Sequence, residues 1–243
     1  MNSLGSFTIK REVVQLRERV WIYPPSKKDL EPTIGWVSTG EGVVVIDSGN
    51  SPEHGQRVLR AIRQTTSEPI RYVINTHRHW DHTFGNQAFQ AFNAPIIAHA
   101  LCRRKMEQNA QNDWAPDKIL SWVESWVVPR VPSLDRSQFE GLKLVLPEIT
   151  FKGTLRLTLG KTCFELIYMG EAHSYDSIGV HLPDEHLLFL ADALYFRSSQ
   201  VPPERVRRLL AKIDGLGVET FVAGHQLPYD QKQLKLLVRR RLA

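Results

Sequence analysis

Hydrophobic positions along the chain fall into short runs, separated by turns and by stretches with helical spacing. In the first half, runs rich in Val, Ile and Trp are typical of strands. The strands predicted from these runs lie at residues 19–23, 33–38, 42–46, 70–75 and 96–99. Val58, Leu59 and Ile62 recur at helical spacing and predict a helix over residues 52–65. Strands that alternate with a helix are typical of a layered α/β fold.

Closely spaced apolar runs dominate the second half of the chain. They predict strands at residues 142–146, 154–159, 162–169, 178–181, 187–191 and 220–223. Gly160 and Lys161 have the composition of a hairpin turn between two of these strands. Helices are predicted over residues 203–214 and 230–241. Because both halves place strands before helices, we expect two packed sheets in a single domain that covers residues 1–243.

Residues 101–140 interrupt this pattern. Four apolar residues of this stretch share one helix face: Ile119, Trp122, Val123 and Trp126. Prolines at positions 129 and 132 then end the helical spacing. Two interpretations compete, a helical element packed on the body of the protein and a lid over a site. A tryptophan pair at i, i+4 is typical of a packed face, which favours the first.

The composition is that of a globular protein. Of the 243 residues, 42% are hydrophobic and 23% are charged, which argues against a disordered chain. No apolar run is long enough to span a bilayer as a helix, and residues 1–11 lack the features of a signal peptide. The two cysteines, Cys102 and Cys163, cannot form a disulfide framework, so the expected location is the reducing cytoplasm.

The net charge is +5, from 31 Lys and Arg against 26 Asp and Glu. This sign fits an anionic substrate or a nucleic acid but requires neither. Part of the excess lies in the three arginines at residues 239–241. We interpret that run as a solvated helix end, where basic groups also suit the helix dipole.

The strongest chemical signal follows the predicted strand at residues 70–75. Within six residues the chain places three imidazoles and one carboxylate, on His77, His79, Asp81 and His82. In extended backbone His77 and His79 face the same way. Neutral imidazole suits zinc and similar metals, and carboxylate adds a harder ligand. Packing such a cluster without a metal would be electrostatically costly.

Three later residues of ligand type each follow a short apolar strand. They are His173, Asp192 and His225. One such placement is explained by chance, but three together with the cluster indicate a shared site. The other histidines, at positions 54, 99, 181 and 186, are interpreted as ordinary polar residues.

On these residues the sequence resembles the metallo-beta-lactamase superfamily. The family pattern is His-x-His-x-Asp-His, followed by a His, a bridging Asp and a last His. The resemblance covers roughly residues 15–228, and Asp47 matches a further family position near the site. It implies a four-layer αββα sandwich of the α/β (α+β) class, in which two mixed β-sheets are flanked by helices. The metals would lie at one edge between the sheets.

The resemblance also implies a ligand set. The first metal would be held by His77, His79 and His173, and the second by Asp81, His82 and His225. Asp192 would bridge the two metals, and Asp47 would fix a ligand loop by hydrogen bonds. Two zinc ions are the family default, while iron or manganese occurs in some relatives.

Such a pair of metals implies hydrolysis. Two metals that share a water molecule lower its pKa to about 7, which supplies a hydroxide at neutral pH. We expect this hydroxide to attack an ester, thioester, lactone or amide of a small substrate. Both neutral and anionic substrates fit this expectation. Asp81 would have a catalytic role besides ligation, because its carboxylate would orient the hydroxide or carry a proton.

Departures from family patterns narrow the choice. Asp192 stands where the commonest zinc beta-lactamases carry Cys, and His79 stands where flavodiiron-type oxygen reductases carry Glu. What remains is similar to glyoxalase II and to stand-alone lactamase-like hydrolases, although the C-terminal helical domain of glyoxalase II has no counterpart. Tyr195 and Arg197 after the bridging position, and Trp80 inside the cluster, are candidate substrate contacts.

Other functions stay open at this level. A mononuclear iron enzyme of the persulfide-dioxygenase kind keeps the same motif, and a phosphodiesterase or nuclease is the nearest rival within hydrolysis. A metal-binding protein without turnover is a third alternative, which the complete ligand set disfavours. The substrate, the native metal and the oligomeric state do not follow from the sequence.

Overall fold

The computed structural model describes residues 12–170, 172–194 and 201–242. The first sheet contains the strands β1 (Val14–Arg17), β2 (Val20–Tyr23), β3 (Ile34–Ser38), β4 (Val43–Ile46), β5 (Ile70–Asn75), β6 (Ile96–His99) and β7 (Ile149–Phe151). Its spatial order is the chain order. β1 to β4 pair antiparallel, and β4 to β7 pair parallel, so the sheet is mixed.

The second sheet is formed by the second half of the chain. Its strands are β8 (Thr154–Leu159), β9 (Thr162–Gly170), β10 (Ser177–Leu182), β11 (Leu187–Ala191), β12 (Thr220–Ala223) and β13 (Tyr229–Asp230). The spatial order is β13-β12-β11-β10-β9-β8. All neighbours pair antiparallel except β11 and β12, which are parallel. β9, β11 and β12 therefore end at the same edge of the sheet.

Helices cover the outer face of each sheet. The α-helices are α1 (Pro52–Thr65), α2 (Trp80–Thr83), α3 (Ala100–Ala110), α4 (Ile119–Trp122), α5 (Pro203–Ile213) and α6 (Gln231–Leu242). α1 begins sharply because Ser51 accepts a hydrogen bond from the His54 amide at 3.1 Å and Pro52 occupies the first helical position.

Three apolar clusters hold the layers together. Val44 of the first sheet and Phe164 of the second belong to one cluster, so the two sheets pack face to face. Val58 of α1 belongs to a second cluster on the outer face of the first sheet. Leu209 of α5 belongs to a third on the outer face of the second sheet. The order helix, sheet, sheet, helix confirms the predicted αββα sandwich, and the assignment of the whole chain to one domain stays a prediction.

The strand predicted at residues 142–146 is wrong. This segment joins neither sheet. Its backbone is bonded instead by side-chain amides: Asn86 Nδ2 donates to the Val145 carbonyl at 3.0 Å, and the Lys143 amide donates to Gln87 Oε1 at 2.5 Å. The strand that completes the sheet edge comes a few residues later, as β7.

The segment at residues 101–140 packs on the body of the protein. Ile119, Val123 and Phe139 are buried in one apolar cluster. A π-helical stretch, Val123–Val127, follows α4 and shifts the helical phase. Trp126 is consequently 37% exposed, so the expectation that all four apolar residues share a buried face is wrong for it. That the segment is an insertion or a lid stays a prediction.

Two expectations concern location. In the part of the chain that the structure describes, every helix is too short or too polar to cross a bilayer. The cytoplasmic location expected from the cysteine count stays a prediction.

Candidate metal centre

The side chains singled out in the sequence lie where strand ends of the two sheets meet. The parallel strands β4 and β5 end at Asp47 and at the histidine loop, which comprises residues 76–82. In the second sheet, His173, Asp192 and His225 follow the parallel-running strands β9, β11 and β12. Loops at the carboxyl ends of parallel strands converge at one edge, which explains how positions far apart in sequence come together.

The first group of convergent side chains consists of three imidazoles. Nδ1 of His79 lies 3.0 Å from Nε2 of His77 and 3.0 Å from Nε2 of His173. Zinc–nitrogen bonds of 2.0–2.1 Å at a tetrahedral angle place ligand nitrogens roughly 3.4 Å apart. The three nitrogen atoms are therefore spaced closely enough to share one metal ion.

The second group consists of Asp81, His82 and His225, all of which are buried. Oδ2 of Asp81 lies 3.0 Å from Nε2 of His225 and 3.8 Å from Nε2 of His82. A carboxylate with two imidazoles is a ligand set that suits zinc, iron or manganese. This group has the donors for a second metal ion.

Asp192 lies between the two groups. Its Oδ2 atom is 3.5 Å from Nε2 of His173, 3.6 Å from Nε2 of His82 and 3.5 Å from Nε2 of His225. One carboxylate oxygen is thus close to one nitrogen of the first group and two of the second. Oδ1 of Asp192 and Nε2 of His82 are buried without a hydrogen-bond partner among the described residues. Buried polar atoms in that condition are costly, and a bound cation would satisfy them, so the residues fit a metal.

Burial controls the protonation of the first group. It lowers the pKa of the His77 imidazole well below its ordinary value, and the rings of His82 and His79 lower it further. It also lowers the pKa of His79 to about 4, with a further contribution from His173. Both rings are therefore neutral near pH 7 and keep a nitrogen lone pair, which is the form that binds metals.

The second group carries opposite charges. Burial by itself would lower the pKa of His82, but the carboxylates of Asp47, Asp192 and Asp81 outweigh burial and raise it well above its ordinary value. Burial would raise the pKa of Asp81, but His82 and His225 outweigh it and lower the pKa. Three carboxylates therefore surround one protonated imidazole. Their negative charge would also favour a metal cation at this point.

Asp47 holds the histidine loop by hydrogen bonds to its first and last residues. Its Oδ1 accepts a hydrogen bond from the Thr76 amide at 2.8 Å, and its Oδ2 accepts one from the Thr76 hydroxyl at 2.8 Å. The same Oδ2 lies 2.8 Å from Nδ1 of His82. Because an ionised carboxylate only accepts, the Nδ1 atom carries the hydrogen and Nε2 is left facing the second group.

Asp176 was missed by the sequence reasoning. Its buried carboxylate accepts hydrogen bonds from the Arg78 amide at 2.8 Å and from Nη1 of Arg78 at 2.9 Å. The Ile178 amide, two residues further on, donates to the Thr76 carbonyl at 2.9 Å. These bonds tie the histidine loop to the segment that follows β9. The partners are 98 positions apart, so no local pattern in the sequence indicates them.

A glycine gives Asp192 its space. A Cβ atom at Gly224 would lie 2.0 Å from Oδ1 of Asp192 and 3.2 Å from Cε1 of His82. The backbone of Gly224 is also hydrogen-bonded to two other segments of the chain. Its amide donates to the Ala191 carbonyl at 2.8 Å, and its carbonyl accepts from the Thr33 amide at 2.6 Å. Only a residue without a side chain fits at this point.

The predicted substrate contacts have different outcomes. Trp80 is 5% exposed, and its ring packs against Phe84, Trp122 and Phe139. It lies in the apolar cluster beside the histidine loop, and its contact with a substrate stays a prediction. Tyr195 and Arg197 lie outside the described residues.

Three similar proteins illustrate what this chain is related to. It is 24% identical over 196 residues to the 2,4-dinitroanisole O-demethylase subunit alpha from Nocardioides sp. (strain JS1661), an alignment that covers 76% of this chain and 49% of that protein. The structure resembles a metallo-beta-lactamase from Pontibacter korlensis, with a TM-score of 0.69 and 21% identity over 96% of this chain and 97% of that one. It also resembles the stereoselective inverting sec-alkylsulfatase Pisa1 from Pseudomonas sp., with a TM-score of 0.70 and 16% identity over 96% of this chain and 41% of that one.

These likenesses differ in weight. The two solved structures show the fold alone, because their identities to this chain are low. The chain spans about half the length of the O-demethylase subunit that it matches. The sequence profile of the metallo-beta-lactamase superfamily matches residues 29–225, from the loop before β3 to the last histidine of the candidate centre. The chain therefore belongs to the metallo-beta-lactamase superfamily.

Proposed function

We propose that the protein is a binuclear metal-dependent hydrolase, with zinc as the expected metal. The observation that carries the proposal is the position of Asp192, whose Oδ2 lies 3.5–3.6 Å from imidazole nitrogens of both groups. One carboxylate between two ligand groups suits a pair of metals better than a single one. The proposed ligands are His77, His79, Asp81, His82, His173, Asp192 and His225.

The proposed ligands and the residues around them have different roles in this reaction. Metal ions held there would polarise the scissile bond and lower the pKa of a water molecule. His77 and His79 contribute neutral nitrogens, because burial keeps them unprotonated. Asp81 would orient a water molecule by accepting a hydrogen bond from it, because the lowered pKa of its carboxyl group keeps it ionised. Asp47 accepts the hydrogen on Nδ1 of His82, so Nε2 is the atom that would bind a metal in place of its proton.

The proposed reaction is hydrolysis of a small ester, thioester, lactone or amide. Water adds to the acyl carbon, the bond to the leaving oxygen, sulfur or nitrogen breaks, and the leaving group takes a proton. The net charge of +5 favours an anionic substrate over a cationic one. The names of two similar proteins suggest two further bonds to test as substrates. They are the sulfate ester of an alkyl sulfate and the methyl ether of 2,4-dinitroanisole.

The first experiment is metal analysis of the purified protein, followed by assays on chromogenic lactam, thioester, carboxylic ester, alkyl sulfate and phosphodiester substrates. The proposal expects two zinc ions per chain and turnover of at least one non-phosphodiester substrate. One iron per chain with oxygen uptake on a persulfide would establish the dioxygenase alternative instead. Cleavage of phosphodiesters alone would establish the nuclease alternative.

A matched pair of variants tests the assignment of Asp81. Asp81→Asn keeps the size of the side chain and removes the charge, so kcat should fall by about 10²–10⁴-fold. Asp230→Asn makes the same change at an exposed position outside both groups and should leave kcat unchanged. Equal activity of the two variants would contradict the assignment.

A further inference from the structure

A cavity of about 690 Å³ adjoins the candidate metal centre and shares His225 with it. Its walls come from the loop after β2, the residues that follow His225, and one face of α6. The volume lies within the range of small-molecule sites, roughly 300–1,000 Å³. His225 lines this cavity and faces Asp81 and Asp192 with its Nε2 atom, so a ligand in the cavity would lie next to a member of the second group.

The walls of the cavity contain apolar side chains that are exposed to solvent. Leu227 is 67% exposed, Leu236 48% and Leu237 37%, and all three line this one cavity. They are three of the eight exposed large hydrophobic residues in the described part of the chain. Leucines clustered at the surface cost hydration free energy unless something covers them, so such a patch indicates a binding site.

The charges at the cavity select among ligands. Lys27 lines it, and among the residues that the structure describes no carboxylate does. An apolar wall with one cation, next to a proposed metal ligand, suits an apolar chain attached to a polar or anionic group. The site shares a wall with the centre, and a concave cavity of this size takes a small molecule better than the flat face of a partner protein.

We infer that this cavity binds the unbranched apolar chain of the substrate, so that the scissile bond lies at the His225 end. The substrate class is then a medium-chain acyl or alkyl ester. This inference rests on the proposed function and deepens it. The leucines of α6 provide specificity for chain length, and their removal should leave the metal ligands untouched.

The first test measures hydrolysis across a series of p-nitrophenyl esters, from acetate through butyrate and octanoate to dodecanoate. In the wild type, kcat/KM should rise with chain length, by up to about fourfold per buried methylene. The variant Leu236→Gln/Leu237→Gln should flatten this rise, because octanoate should lose more activity than acetate. Ile149→Gln, a change at a residue 39% exposed on the opposite sheet, is the control and should keep the rise.

The second test needs no turnover. Calorimetry of the zinc-loaded protein with dodecanoate and with butyrate measures the affinity of the cavity for the chain itself. Dodecanoate should bind at least about tenfold more tightly than butyrate, and the α6 double variant should lose this difference while Ile149→Gln keeps it. Equal affinity of the wild type for the two acids would overturn the inference.

The outcomes separate the inference from the proposed function. Chain-length-dependent binding without hydrolysis of any ester would support the cavity assignment and contradict the hydrolase. Hydrolysis without chain-length dependence would support the hydrolase and overturn the cavity assignment. The double variant could instead convert a dimer into a monomer while the affinity for dodecanoate stays constant. That result would show that the leucines contact a second copy of the chain, and it would also overturn the cavity assignment.

Discussion

Substitution of Asp47 by asparagine changes one atom and tests how the second ligand group is held. In the wild type, the carboxylate accepts from the Thr76 amide, from the Thr76 hydroxyl and from Nδ1 of His82. An asparagine of the same shape has one acceptor and one donor end. If its oxygen faces Thr76, its amide group faces Nδ1 of His82, and the ring hydrogen must move to Nε2.

Nε2 of His82 is the atom that faces the second group, 3.6 Å from Asp192 and 3.8 Å from Asp81. A hydrogen on this atom removes the lone pair that binds a metal. The opposite orientation of the asparagine places two donors against each other at the Thr76 amide, which costs about 1–3 kcal/mol. We expect the affinity of the second metal to fall about 10–100-fold, which corresponds to about 1.4–2.7 kcal/mol.

The assay is a competition titration of zinc against a chromophoric chelator, with the zinc content measured after dialysis. Glu31→Gln is the matched control, because Glu31 and Asp47 are both 2% exposed and Glu31 contacts Arg57 and His54 rather than a proposed ligand. The control should lose stability and keep both metals. Asp47→Asn with wild-type affinity at both sites, or zinc loss in the control as well, would refute the reasoning.

Three further predictions address the same centre. Gly224→Ala places a methyl group 2.0 Å from Oδ1 of Asp192, so activity should fall by about 100-fold or more; wild-type kcat would contradict this. The pKa values of His77 and His79 are lowered from 6.5 in the folded state, to about 4 for His79, so the unfolded chain binds protons first on acidification. The free energy of unfolding of the metal-free protein, measured by urea denaturation, should therefore fall by about 2 kcal/mol or more between about pH 6.5 and about pH 5. An unchanged free energy of unfolding would contradict the argument that burial lowers these pKa values. Treatment with a chelator should abolish hydrolysis and lower Tm, and zinc should restore both; activity that survives complete metal removal would exclude the proposed role of the metals.

Local spacing predicted much of what the structure displays. The fold and the family are confirmed, since strands alternate with helices in both halves and the ligand-type residues follow strand ends. The convergence of His173, Asp192 and His225 on the histidine loop follows from the topology, because parallel strands end at one edge. The metals themselves, their number and the role of each ligand stay predictions.

Features that depend on tertiary contacts were not accessible to the sequence reasoning. Asp176 binds the backbone of a loop 98 positions away, and its own neighbourhood resembles an ordinary turn. The apolar spacing at residues 142–146 was typical of a strand, but the side chains of Asn86 and Gln87 take its backbone bonds. Trp126 was expected in the core, whereas a π-helical turn places it at the surface, stacked on Trp122 at 5.1 Å.

The central claim is that residues from both sheets hold two metal ions with Asp192 between them. Anomalous diffraction at the zinc edge from crystals of the zinc-loaded protein tests it most directly. The account predicts two peaks in each chain, one among His77, His79 and His173 and one among Asp81, His82 and His225. A single peak, or zinc bound away from these side chains, would contradict it.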